Sequence, residues 1–210
     1  MLSRKMSVIA TTSIPTATMM PKIIAICGAK RSGKDTLAHY ISYKYLYKKL
    51  AFADPLKEAV RALFQFSAEQ TGDNDLKESV DKRWGITPRR AMQFFGTEVL
   101  QYKIQELLPG IDRKFLANTL VSKIKNNESE HYVISDMRFI HEYEEIKKLG
   151  AYVIRVDRPS VEENYYHDIP VHCSEIEYRN IPYDLHIRND ADIATFIKRF
   201  EVGLEKSYNP

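Results

Sequence analysis

At 210 residues and 44% hydrophobic content, the chain carries enough apolar material for one buried core and falls within the size range of a single domain. Its 31 Lys and Arg against 28 Asp and Glu leave a formal net charge of +3, too balanced for a generic nucleic-acid or membrane-surface binder, so any phosphate binding must come from local clusters. No stretch approaches the roughly 18 consecutive apolar residues of a membrane helix, and Cys27 and Cys173 lie far apart without metal-ligand spacing, which fits reduced thiols in a cytosol-like compartment.

Residues 1–20 contain Arg4, Lys5, many Ser and Thr, no acids and no secretory apolar run. That composition permits a transit peptide, but the favoured reading is a disordered extension, or an upstream start before Met19 or Met20. The folded domain is therefore expected over residues 21–210.

Ile23 to Cys27 form a continuous apolar run ending at Gly28, the pattern of a parallel strand covered on both faces. Leu37, Ile41 and Tyr45 then recur at helical spacing. Leu50 to Ala53 reads as a second strand ending at Asp54, with Asp54-Pro55 as cap and first turn of the next helix. The polar stretch Ser67 to Gly85 is left as a loop or short helical excursion. Thr87-Pro88 opens a long helix with Met92, Phe95, Val99 and Tyr102 in period, and Phe115, Leu116, Leu120 and Ile124 mark another. Tyr132 to Ser135 reads as a third strand ending at Asp136, followed by a helix from about Phe139 to a C-cap at Gly150. Tyr152 to Val156 and Leu185 to Ile187 supply strands four and five, and Ile193, Phe196, Ile197 and Phe200 share one face of a closing helix. This alternation implies an α/β fold with a doubly wound, five-stranded parallel sheet, whose ligands bind beyond the carboxyl ends of the strands.

At the end of the first strand, Gly28-Ala29-Lys30-Arg31-Ser32-Gly33-Lys34-Asp35-Thr36 fits the phosphate-loop pattern, except that Asp35 stands where Ser or Thr usually follows the lysine. Glycines let backbone N–H groups curl around an oxyanion, the helix N-terminus adds positive potential, and Lys34 neutralises the β- and γ-phosphates of a nucleotide. Asp35 then suits Mg²⁺ or a water of its shell, with the Thr36 hydroxyl nearby. Asp136 sits where P-loop enzymes carry a second metal-side carboxylate, and Arg138, two residues on, projects to the same side if the chain stays extended. The tyrosines at 40, 43, 45 and 47, the lone His39 and His141, and Trp84 read as packing or surface residues.

Together these residues resemble the deoxynucleoside monophosphate kinases of large DNA bacteriophages and some large viruses. The aspartate-bearing phosphate loop is similar to that family's own, as are Phe52-Ala-Asp-Pro-Leu-Lys57, Arg90-Ala-Met-Gln-Phe-Phe-Gly-Thr-Glu98, Val133-Ile-Ser-Asp-Met-Arg-Phe139 and His172-Cys-Ser-Glu175. The resemblance runs from about Lys22 to Ile197. It implies a kinase of the nucleoside monophosphate kinase fold with a mobile acceptor-binding lid region. ATP would be the donor, Mg²⁺ the cofactor held by Asp35 and Asp136, and deoxynucleotides for DNA synthesis the products. It further implies Lys34, Asp136, Arg138 and Arg158 as catalytic, and Asp54, Arg90, Gln93 and Glu98 around the acceptor. Small-molecule nucleotides are then the partners, without nucleic acid or membrane, in the cytoplasm or host cytoplasm, with a homodimer left open. Between Arg158 and Glu175 there is no second arginine, so Arg158, Arg179 or Lys30 has to take the place of a multi-arginine clamp. Animal-type phosphomevalonate kinases share a similar loop, and a noncatalytic P-loop protein would keep Lys34 alone; intact Asp35, Arg90, Asp136 and Arg138 weigh against the second.

Overall fold

The computed structural model describes residues 20–162 and 176–208. The expected N-terminal extension up to residue 19 and the His172 to Glu175 motif lie outside them.

Five parallel strands form the sheet: β1 (Ile23–Cys27), β2 (Lys48–Leu50), β3 (Tyr132–Met137), β4 (Tyr152–Asp157) and β5 (Leu185–Arg188), ordered β2-β3-β1-β4-β5. β1 lies at the centre, all five residues buried, as its unbroken apolar run requires. Alternate side chains feed two separate cores. On one face Ile24, Ile26, Val133 and Ile154 pack against α1 (Lys34–Tyr45) and α9 (Ile193–Tyr208). On the other, Ala25, Cys27, Ile134 and Val153 pack against α6 (Phe115–Lys125) and α7 (Ile140–Lys147). Helices on both faces make this the doubly wound arrangement that the alternation implies.

The closing helix α9 docks through Phe196, Phe200 and Leu204, each almost fully buried, worth about 1.5–3 kcal/mol apiece relative to exposure. Ile193, expected on that face, is 68% exposed; the buried stripe starts one turn later and ends at Leu204. Met20 joins the core beside α1, and the Tyr47 hydroxyl donates to the Pro21 carbonyl, so the ordered core begins one residue before the expected boundary.

Strand boundaries differ from expectation most at β2, which begins at Lys48, and at β3, while β4 and β5 each run one residue further. β2 ends at Leu50, not Ala53, because the amides of Phe52 and Ala53 donate to the Asp136 carboxylate and that of Ala51 to Asp54, which removes them from a strand ladder. β3 continues through Asp136 to Met137. Ile134 lies opposite Ala25 and Met137 opposite Cys27, so β3 fits an extra residue at Ser135-Asp136, next to the phosphate loop.

A second helical layer covers the sheet's β2 side. α2 (Asp54–Phe64) starts with Pro55 in its first turn and buries Leu56 and Val60, α3 (Ala68–Gly72) is held by a capping box between Ser67 and Gln70, and a 3₁₀ turn spans Leu76–Glu78. Thr87 caps α4 (Pro88–Gln93) by accepting the Arg90 N–H at 3.1 Å, as its Thr-Pro signature predicts. The helix does not stay α-helical. Residues Phe94–Lys103 form a ten-residue π-helical stretch before α5 (Ile104–Leu107), and the wider turn rotates Tyr102 out to solvent. Gly96 lies in that stretch, where an added Cβ would be 2.8 Å from Leu56 Cδ2, so the π segment packs closely on α2 there and a larger residue would displace the Leu56 side chain. Two short helices complete the set, α8 (Pro159–Glu162) after β4 and a 3₁₀ turn at Glu177–Asn180 before β5.

Candidate active site

The loop between β1 and α1 is shaped by crowding. A Cβ on Gly28 would lie 2.2 Å from the Val156 carbonyl oxygen and one on Gly33 2.5 Å from Asn189 Nδ2, and both glycines sit at positive φ. Arg31 also takes a left-handed backbone. Asn189, just past β5, donates from Nδ2 to the Ser32 carbonyl at 2.8 Å and pins the loop to the sheet. Gly33 supplies no side-chain cap to α1, whose first-turn amides therefore take no cap from that residue. The Ser32 hydroxyl is buried without a hydrogen-bond partner in the described structure. Lys34 is folded back over its own loop, its Nζ donating to the carbonyls of Gly28 at 2.8 Å and Ala29.

Asp35 and Thr36 are exposed at the start of α1. Burial acts to raise the Asp35 pKa, but Lys49, whose Nζ is 3.0 Å from Oδ1, together with Lys34 and the Ser135 hydroxyl, holds the carboxyl below its usual range. Asp136 is engaged differently. Its Oδ1 accepts from Phe52 N at 2.8 Å and its Oδ2 from Ala53 N at 3.0 Å, so the carboxylate shapes the turn that leads into α2. Burial raises its pKa against the opposing pull of Lys57, those two amides and Arg138. Beyond it, Glu142 Oε2 accepts the Arg138 and Phe139 amides at 2.7 and 3.0 Å, and burial plus the nearby Asp136 pushes its carboxyl up to about 8. Glu142 thus anchors the backbone from which Arg138 projects.

Asp54 is the first residue of α2 and accepts from Ala51 N at 3.0 Å, with Lys57 Nζ 3.7 Å away. Gln93 is half-buried at the end of α4, while Glu98 in the π segment, Arg158 past β4 and the Arg90 side chain are exposed. At the start of α4 it is Arg89 that turns inward. Its Nε donates to Glu78 Oε1, the same oxygen that Lys30 Nζ of the phosphate loop reaches at 3.3 Å. Lys77, half-buried alongside, has its pKa lowered by burial and then by Arg89, Lys57, Lys30 and Arg138. Cations from the loop, α2, the 3₁₀ turn, α4 and the end of β3 therefore converge on one place, and such crowding favours a multiply charged anion.

Lys77, Glu78, Arg89 and Asn189 escaped the sequence reading. Adjacent helical residues point about 100° apart, and nothing local says that Arg89 is the one that pairs with Glu78. Lys77 and Glu78 lie in the segment whose structure the sequence left open. Asn189 follows a short strand with no motif to mark it.

Among solved structures, the chain is similar to a dephospho-CoA kinase from Campylobacter jejuni, at 16% identity and a TM-score of 0.46, covering 90% of this chain and 98% of that one. Sequence relatives are nearer. A protein of Acanthamoeba polyphaga mimivirus, provisionally named a deoxynucleotide monophosphate kinase, is 36% identical over 181 residues, spanning 83% of this chain and 91% of its own. The deoxynucleotide monophosphate kinase of Enterobacteria phage T4 is 23% identical over 88% of this chain and 99% of its own. The family model described as Deoxynucleotide monophosphate kinase matches residues 22–81 and 64–200, a span that takes in the phosphate loop, the Asp136 turn and every cation of the cluster. With that span matched and the mimivirus identity above, the chain belongs to the deoxynucleotide monophosphate kinase family.

Proposed function

We propose that the protein transfers the γ-phosphoryl group of ATP to a deoxynucleoside 5′-monophosphate, with the donor on the loop of residues 28–36 and the acceptor's phosphate on the cations beside it. The observation that carries this reading is the gathering of Arg89, Lys57, Lys30 and Arg138 about Lys77, with Lys30 a residue of the phosphate loop itself and joined to Arg89 through Glu78. Two phosphate-binding surfaces thus meet at a single residue, the arrangement an in-line transfer between two phosphates needs.

In this reading the loop amides and the α1 N-terminus hold the β- and γ-phosphates, and Lys34 exchanges the carbonyls of Gly28 and Ala29 for phosphate oxygens. Nothing else in the loop has to move, because the glycine crowding already sets its shape. The exposed Asp35 carboxylate, ionised and set beside the Ser135 hydroxyl, fits a hard divalent cation and would hold Mg²⁺ directly or through water. When bound, Mg²⁺ supplies charge neutralisation at the phosphate oxygens. Asp136 acts from behind: it fixes the 51–54 turn that presents Asp54, with a role toward the metal's water shell left to its remaining lone pairs. Arg138 and Arg158 serve the transferring phosphoryl group, and Asp54, Gln93 and Glu98 serve the acceptor. Arg89 takes the phosphate-gripping task for which the sequence offered Arg90. We place the reaction in the cytoplasm, host cytoplasm for a viral enzyme, where ATP and deoxynucleotides are available.

The test is ADP release by purified protein offered dTMP, dGMP, dCMP, dAMP or phosphomevalonate. Turnover with at least one deoxynucleotide is expected. Activity on phosphomevalonate alone would overturn the reading.

A further inference from the structure

Glu78 is an odd resident of this site. It comes from a single 3₁₀ turn, outside every motif the sequence offered, and its Oε1 alone bridges a phosphate-loop lysine and the inward arginine of α4. Lys30 and Arg89 side chains are about three-quarters shielded, at 23% and 24% exposure, whereas the Glu78 side chain is 48% exposed. The cations are thus built into the site, and the carboxylate reaches them from the solvent side.

The balance of charge sharpens the point. Lys77, the residue before Glu78, feels four cations; Glu78 bridges two of them, Asp54 lies 3.7 Å from Lys57 and Asp136 lies near Lys57 and Arg138, so five cations still face three carboxylates. A phosphate dianion offers more charge and three oxygens to the same donors, so it outcompetes the carboxylate for them. Burial acts to raise the Glu78 pKa, yet Arg89 and Lys30 hold it below its usual range, so Glu78 is ionised at neutral pH and competes as an anion.

We propose that Glu78 is a built-in placeholder for the acceptor's phosphate: its carboxylate bridges Lys30 and Arg89 when the site is empty, and the incoming phosphate displaces it. This inference rests on the acceptor-site reading above and adds to it an internal competitor. Glu78 is then a positioning residue. It keeps Lys30 and Arg89 pre-aligned without substrate, and it raises the apparent KM for the acceptor because each binding event must first release it.

The experiment measures KM for acceptor and for ATP separately in wild type and in Glu78→Gln, with whichever deoxynucleoside monophosphate the wild type uses. Glu78→Gln keeps the side-chain shape and removes the charge. The acceptor KM should fall about three- to tenfold, the scale of a half-exposed ion pair, while the ATP KM and kcat change less than about twofold. A purely structural bridge gives the opposite: without it α4 loosens and the acceptor KM rises, which overturns the proposal, as does an equal shift in both KM values. If Glu78→Gln melts too early to assay, Glu78→Asp, too short to hold both cations, should lower the acceptor KM in the same direction. Calorimetric titration with inorganic phosphate, in the presence of saturating ADP to fill the loop, separates this inference from its parent. Tighter phosphate binding by Glu78→Gln supports the placeholder even if no deoxynucleotide is phosphorylated, and unchanged or weaker binding rejects it even if the kinase activity stands.

Discussion

The phosphate loop and the acceptor-side cluster both present positive charge, but by different means. In the loop, sterics fix the backbone proposed to bind the donor: Gly28 against the Val156 carbonyl, Gly33 against Asn189, and Asn189 bonded to Ser32. In the cluster proposed for the acceptor, long side chains carry the charge from separate elements, among them α2, a 3₁₀ turn and a six-residue helix. Their positions are set by charge more than by close packing. Donor binding should therefore be preorganised and tolerant of salt. Acceptor binding should be adjustable, salt-sensitive and open to competition, because screening acts most on partly exposed charges.

The largest test of that contrast is Lys34→Ala. With the loop otherwise intact, turnover should drop about 100-fold or more while thermal melting shows a folded protein. Near wild-type turnover would break the donor half of the comparison. Next in size, Arg89→Ala should raise the acceptor KM about tenfold or more and Arg90→Ala less than about twofold, since only Arg89 points into the cluster. Arg89→Lys should rescue little, a point charge being a poor copy of a planar fork. Measuring all three across a salt series sharpens the comparison further, and the reverse ranking would return the task to Arg90.

A smaller effect belongs to Asn189. Asn189→Ala removes one hydrogen bond to the loop, worth about 1 kcal/mol, so the ATP KM should rise about fivefold with the acceptor KM unchanged. A rise confined to the acceptor would blur the line between the two regions.

The smallest effect concerns the scaffold beneath both. His141 stacks on Phe139, and burial together with Arg113 lowers its pKa from 6.5 to about 4. The folded state thus keeps it neutral where the unfolded chain would bind a proton. Its contribution is fully present above pH 6.5 and is lost progressively as the pH falls toward about 4. Denaturant midpoints of wild type and His141→Gln from pH 7 down to pH 4 should converge on acidification, with the variant showing the flatter profile. Parallel profiles would mean that His141 does not titrate with folding.

The two regions also differ in how far they could be read in advance. The apolar run Ile23 to Cys27 followed by Gly28 to Thr36 announced strand, loop and helix together, because each is set by neighbours in the chain. So did Thr87-Pro88, where the cap and the first turn are adjacent. Segment 67–85 gave no such signal. Its Lys77 and Glu78 acquire meaning only beside Lys30 and Arg89, which are distant in sequence, and a polar stretch carries no periodicity to place them. The end of β2 was misplaced for a related reason. Phe52 and Ala53 are apolar, as strand residues should be, but their amides are taken by Asp136, some eighty residues on.

By itself, then, the sequence determined the alternation of strands and helices, the phosphate loop with its unusual Asp35, and the chemical class of the reaction. All of these rest on residue type and local spacing, which dihedral preferences and hydrophobic period translate directly into backbone. The tertiary structure decided the strand order that sets β1 between β3 and β4, the π segment after α4, and the use of Asp136 to shape a turn. It also decided which carboxylate Arg89 meets. Those outcomes depend on contacts between distant residues, where packing and long-range charge select one among arrangements that local chemistry allows equally.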